Sequence, residues 1–139
     1  ASPEVFHVRN LMHETGVDFY MDVHGDEELP YVFLGGPLEV PSLTPEMSEN
    51  FYAFEKALQQ ANPDYKTGYV YPGTRPETAN LQMAWNYVGE TFKCLSILVE
   101  QPFKDCEHAL DAVKGYSPER AKRLGAATLV ALNAVLPDL

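Results

Sequence analysis

Val5, Val8, Leu11 and Met12 recur at steps of one, three and three residues, counted back from Met12, the spacing that lines one side of a helix. The pattern predicts a helix over residues 3–15. Ser2 suits its N-cap, Pro3 its first position, Glu4 its first turn and Gly16 the position beyond its end. Residues 17–23 (VDFYMDV) then predict a strand that ends at Gly25. Its imperfect alternation suits a strand covered on both faces. A second apolar segment, YVFLGG at 31–36, follows Pro30. Thr44 and Pro45 open a helix that runs to about Ala61, where Asn62-Pro63-Asp64 stops it. Residues 62–77, rich in Tyr, Pro and Gly, predict a loop with at most a short strand. A helix at about 79–92 leads into a strand at 94–99 (CLSILV), closed by Glu100. The last helix spans 118–135, with Ser117 as N-cap, Pro118 at N1, and Leu124, Ala127, Thr128, Ala131 and Val135 on one face.

Strands alternating with helices predict an α/β layered fold. Two or three strands are few for a free-standing sheet with helices on both sides, so the sheet should have an edge that another segment covers. The 139 residues show no repeat or linker and read as one unit. Apolar runs of about six residues fall far short of the ~20 needed for a membrane span, which argues against a membrane partner. The N-terminus ASPEVFHVRN lacks the features of a signal peptide. A net charge of −10 repels phosphate backbones and argues against nucleic acid as a partner. Cys94 and Cys106, twelve apart and outside any CxxC pattern, read as two free thiols in a reducing cytosol. A disulfide or a zinc-thiolate site is the other reading.

Two places carry candidate chemistry. His24 lies at the carboxyl end of the first strand, in Asp22-Val23-His24-Gly25-Asp26-Glu27, where ligands of α/β sheets gather. Asp22 shares its strand face and could orient a metal-binding imidazole. An ordinary histidine hydrogen-bonded to Asp22 or Asp26 is the simpler reading of the same residues. Glu100 closes the apolar run Leu95-Ser96-Ile97-Leu98-Val99 and precedes Gln101-Pro102-Phe103. There it could be a partly desolvated general base or a solvent-facing glutamate at a strand terminus.

Together, GVDFYMDVHGDEELPY at 16–31, NLQMAWNYVGETF at 80–92, CLSILVEQPFKD at 94–105 and GYSPERAKRLG at 115–125 resemble the carboxypeptidase A-like zinc carboxypeptidases, and among them the branch related to cytosolic carboxypeptidases. The resemblance runs in order from Ser2 to about Leu136. It implies that residues 1–139 form the C-terminal half of a catalytic domain with a three-layer α/β/α mixed-sheet fold, cytoplasmic and dependent on one zinc ion. His24 matches the family's second zinc-ligand histidine, and Glu100 matches the glutamate that activates the zinc-bound water. The implied substrate is a peptide or protein C-terminus, cleaved at its last peptide bond.

The family's His-x-x-Glu zinc pair and its substrate-carboxylate arginines have no counterpart here and would lie before Ala1. The implied partner is therefore the missing N-terminal half, and the chain alone is expected to hold no stoichiometric zinc and to show no peptidase activity. Tyr69, Tyr71 and Tyr87 are candidates for a tyrosine near the substrate, and Arg75 and Lys104 for a basic group receiving an acidic side chain. A competing resemblance is to aspartoacylase-like and succinylglutamate desuccinylase-like amidohydrolases, whose first zinc pair His24-Gly25-Asp26-Glu27 would match, with His108 as third ligand. A non-catalytic binding domain is a third reading.

Overall fold

The apolar run after Cys94 becomes the centre of the sheet. Residues 2–69 and 78–139 are described by a computed structural model. Three strands, β1 (Phe19–Asp26), β2 (Phe33–Gly35) and β3 (Leu95–Pro102), lie in the order β1-β3-β2. β1 runs parallel to β3, and β2 antiparallel to it. Every residue of β3 except Gln101 is buried, as a strand between two neighbours and two helix layers requires.

Alternation along β3 divides the molecule into layers. Leu95, Ile97 and Val99 face α2 (Pro45–Ala61) and α4 (Pro118–Val135), packing with Leu34, Phe54, Leu58, Leu124, Ala127 and Ala131 into the main core. Ser96 and Leu98 face the other layer, where α3 (Ala84–Phe92) lies. The Ser96 hydroxyl donates to the Trp85 carbonyl at 2.6 Å. The fold is thus a mixed sheet between helices, as the α/β reading expected.

Three helices take their expected bounds, because local signals set them. α1 spans Pro3–Thr15, and α2 and α4 start at the prolines after Thr44 and Ser117. The Thr44 hydroxyl accepts from the Met47 N–H at 3.1 Å, satisfying one of the free donors of the first turn of α2. Thr44→Ala is expected to lower the unfolding free energy by about 1 kcal/mol. The check is a urea titration in which the midpoint falls and the slope stays constant.

The sheet ends differ from expectation. β1 does not end at Gly25 but continues to Asp26, with Gly25 paired to Gln101. Gly25 serves a close approach rather than a turn, since a Cβ there would lie 2.2 Å from the Phe103 ring. The turn comes one residue later, where the Asp26 carboxylate accepts from the N–H groups of Glu28 and Leu29 at 2.8 and 2.7 Å. β3 likewise runs through Glu100 to Pro102. α3 begins at Ala84 rather than near 79, because Asn80 holds a turn: its side chain accepts from Gln82 N–H and its carbonyl from Met83 N–H, both at 3.0 Å. Two 3₁₀ turns, Pro37–Glu39 and Leu136–Asp138, were not expected.

The stripe of α1 forms, but no residue of that helix is buried. Val5, Val8 and Met12 border an open cavity of about 720 Å³, with Tyr20 of β1 and Tyr87 and Val88 of α3 on its other walls. No helix among the described residues is long and apolar enough to cross a membrane.

Candidate active site

Parallel pairing of β1 with β3 sets His24 directly opposite Glu100. Each stands two residues before the carboxyl end of its strand, so residues 76 positions apart in sequence meet at one edge of the sheet. The His24 Nδ1 lies 3.6 Å from Glu100 Oε1. Its Nε2 lies 2.9 Å from Asp22 Oδ1, a residue of the same strand face. The imidazole is half-exposed at 45%, whereas the Glu100 side chain is 3% exposed. The site thus has an open side at the histidine and a carboxylate set into the protein beneath it. Trp85 of α3 approaches His24 edge-on, with ring centroids 6.3 Å apart and planes at 89°.

Asp22 lies on the same strand face as Tyr20, whose hydroxyl is pushed above its ordinary range by burial and by the Asp22 charge. A carboxylate on one ring nitrogen is a common way to fix the tautomer and orientation of a metal-binding imidazole. With Nε2 engaged by Asp22, Nδ1 is the nitrogen available to a metal. The residues present therefore fit one imidazole ligand of a zinc site. A catalytic zinc takes three protein ligands and keeps one open position. Among the described residues, no three His, Cys, Asp or Glu side chains are grouped so as to hold a metal ion.

The remaining candidates lie elsewhere. Tyr87 turns toward α1: its hydroxyl meets His13 Nε2 at 2.8 Å and Arg9 at 3.2 Å, and the Arg9 guanidinium sits 4.6 Å from its ring centre. Tyr69 stacks between Tyr31, at 4.0 Å, and His108, at 5.9 Å. Arg75 and Tyr71 lie outside the described residues. Lys104 is exposed. Glu27 is exposed, and His108 Nε2 lies 2.8 Å from the Asp64 carbonyl. His24, Glu27 and His108 therefore do not form a described metal group, and the amidohydrolase reading loses its third ligand.

Both cysteines are free and buried. His108 stands 3.5 Å from the Cys106 sulfur, a pairing that could suggest a nucleophile and its base. Burial, however, raises the Cys106 thiol and pushes that of Cys94 up to about 11, so both remain protonated at neutral pH and poor nucleophiles.

Two features were not expected from sequence. One is Trp85, whose position on an amphipathic helix reads as ordinary core. The other is Arg120. It is buried, with Nε and Nη2 on the two Asp64 oxygens at 2.9 and 3.0 Å and Nη1 on Asp105 at 3.0 Å. From local pattern Arg120 is only a residue of the first turn of α4.

Among solved structures, a chain from Shewanella denitrificans OS-217 superposes with a TM-score of 0.93 at 47% identity, over 98% of this chain and 36% of that one. The metallo-carboxypeptidase of Burkholderia cenocepacia gives 0.92 at 39% identity, over 99% and 36%. The metallo-carboxypeptidase of Pseudomonas aeruginosa, solved in complex with (2-guanidinoethylmercapto)succinic acid, gives 0.92 at 37% identity, again over 99% and 36%. An uncharacterized protein of Zymomonas mobilis is 43% identical over 138 residues, 99% of this chain and 36% of the relative. No family model matches the chain. The chain resembles metallo-carboxypeptidases throughout its length and folds as part of a carboxypeptidase-like domain. It spans 36% of the length of the relatives it matches, which is consistent with the C-terminal half of such a domain.

Proposed function

We propose that this chain supplies one zinc ligand, His24, and the general base, Glu100, to a zinc metallocarboxypeptidase that hydrolyses the C-terminal peptide bond of peptides or proteins. The observation that carries the reading is the His24 imidazole between two carboxylates, with Nε2 on Asp22 at 2.9 Å and Nδ1 facing the buried Glu100 at 3.6 Å. Residues 1–139 would be the C-terminal half of the catalytic domain, with the other zinc ligands and the substrate-carboxylate groups contributed by an N-terminal half. The 36% span of the relatives supports this. The chain alone is then expected to bind no stoichiometric zinc and to cleave no peptide.

A bound zinc ion supplies Lewis acidity, which eases deprotonation of water and polarises a carbonyl. Glu100 accepts the proton of the attacking water on its carboxylate and returns it to the departing amine. Its burial keeps competing bulk water away. Asp22 holds the imidazole by Nε2 and keeps Nδ1 free. Arg75 is the candidate for receiving an acidic side chain of the substrate, as the resemblance to the cytosolic carboxypeptidase branch suggests. Tyr87 is a weaker substrate candidate, because its hydroxyl is engaged by α1. Two free, buried thiols suit a cytoplasmic setting.

His24→Ala in the longer polypeptide tests the ligand role. It is expected to remove zinc and peptidase activity together, measured as metal per protomer and turnover on one preparation. A variant that kept its zinc would show that His24 is not a ligand.

A further inference from the structure

Asp22 holds the His24 ring at one nitrogen, Nε2, and the last torsion of a histidine side chain is broad and roughly two-fold. A half-turn would exchange the edge carrying Nδ1 for a carbon edge. The same half-turn would take Nε2 off Asp22, but the ring is half-exposed, so water could satisfy both nitrogens of a turned ring. A rigid wall beside the ring would add to Asp22 in keeping Nδ1 toward Glu100.

Trp85 is placed to be that wall. It is the chain's single tryptophan and lies in the first turn of α3. Its carbonyl accepts from the Ser96 hydroxyl at 2.6 Å, which ties this turn of α3 to β3 four residues before Glu100. Its ring reaches across the sheet face. On one side it meets His24 at 89°. On the other, its Nε1 lies 3.6 Å from where a Cβ of Gly35 on β2 would stand, a position already 3.2 Å from Leu98 Cβ. The indole thus lies within ordinary contact distance of the Gly35 position on β2. All three strands and α3 take part in fixing one ring against another.

We propose that Trp85 is a positioning residue that locks the His24 ring with Nδ1 toward Glu100, and that it acts on metal affinity through His24 without touching the metal. The inference rests on the reading of His24 as a zinc ligand. Groups that orient a ligating histidine typically change metal affinity 10- to 100-fold when removed.

The test compares zinc dissociation constants, measured by chelator competition, in the longer polypeptide and its variants, at a temperature where all are folded. Trp85→Leu is expected to weaken zinc binding about tenfold. Trp85→Phe keeps a flat aromatic edge and is expected to restore most of that loss. Trp85→Met offers a flexible apolar chain without an aromatic edge and carries the same test should the leucine variant not fold. His24→Ala is the reference. A normal zinc affinity in His24→Ala would overturn the ligand reading and the inference with it. If His24→Ala loses zinc while Trp85→Leu or Trp85→Met binds it normally, the ligand reading stands and the positioning role of Trp85 is overturned. A loss in Trp85→Phe as large as in Trp85→Leu also overturns it, since the flat edge would then count for nothing.

Discussion

Replacing Glu100 by glutamine in the longer polypeptide is expected to cut turnover by about a hundredfold or more and to leave zinc content unchanged. A general base contributes typically 10²–10⁴-fold, or roughly 2.7–5.5 kcal/mol of transition-state stabilisation. Glutamine keeps the volume and the planar end of the side chain, so the buried position of Glu100 should accept it. It cannot take up a proton at neutral pH. Because His24, and not Glu100, is proposed to hold the metal, metal analysis and turnover should part company in this variant, whereas both fall in His24→Ala. Loss of zinc in Glu100→Gln, or retention of most of its turnover, would mean that Glu100 has another role.

The second large effect is on stability. Arg120 is 6% exposed and Asp64 5% exposed, and the two are joined by a two-pronged contact at 2.9 and 3.0 Å. Arg120 also donates to Asp105 and to the Gly115 carbonyl, so it ties the start of α4 to the end of α2 and to the segment after β3. Arg120→Met would leave the Asp64 charge buried without its partner. Breaking a buried pair from one side costs about 3–5 kcal/mol, and urea unfolding should register a loss of that order. The acid limb should change as well. Burial would raise the Asp105 carboxyl, but hydrogen bonds from the N–H groups of Asp111 and Cys106 and from Arg120 outweigh it and hold the group below the usual carboxylate range. A depressed carboxyl contributes stability above its unfolded value, and that stability is lost as pH falls through the folded one. The Arg120 variant should therefore lose stability less steeply on acidification than the parent. An unchanged urea midpoint would show that the network is dispensable.

Features with local causes were legible in the sequence. Thr44-Pro45 and Ser117-Pro118 fix two helix starts through side-chain capping and the fixed φ of proline, and Pro3 marks the third, where the Ser2 side chain makes no cap. Features set by distant partners were not. Gly25 reads as a strand end until the Phe103 ring packed against it is known. The start of α3 gives way to a turn built on Asn80. The α1 stripe was visible as a stripe, but whether a stripe is buried depends on what packs on it, and here it borders a cavity. His24, Asp22 and Glu100 stood out because polar side chains at the ends of apolar strands are costly without a purpose. Their meeting depends on the parallel register of β1 and β3, which no local pattern encodes. The role of Trp85 is not legible locally, because an aromatic on a helix face is ordinary core until the ring beside it is seen.

Anomalous diffraction at the zinc edge from crystals of the longer polypeptide should show one peak bonded to Nδ1 of His24, on the side facing Glu100, with the Glu100 carboxylate outside the ligand set. A peak seated on Glu27 and His108, or one that takes Glu100 as a direct ligand, would contradict it.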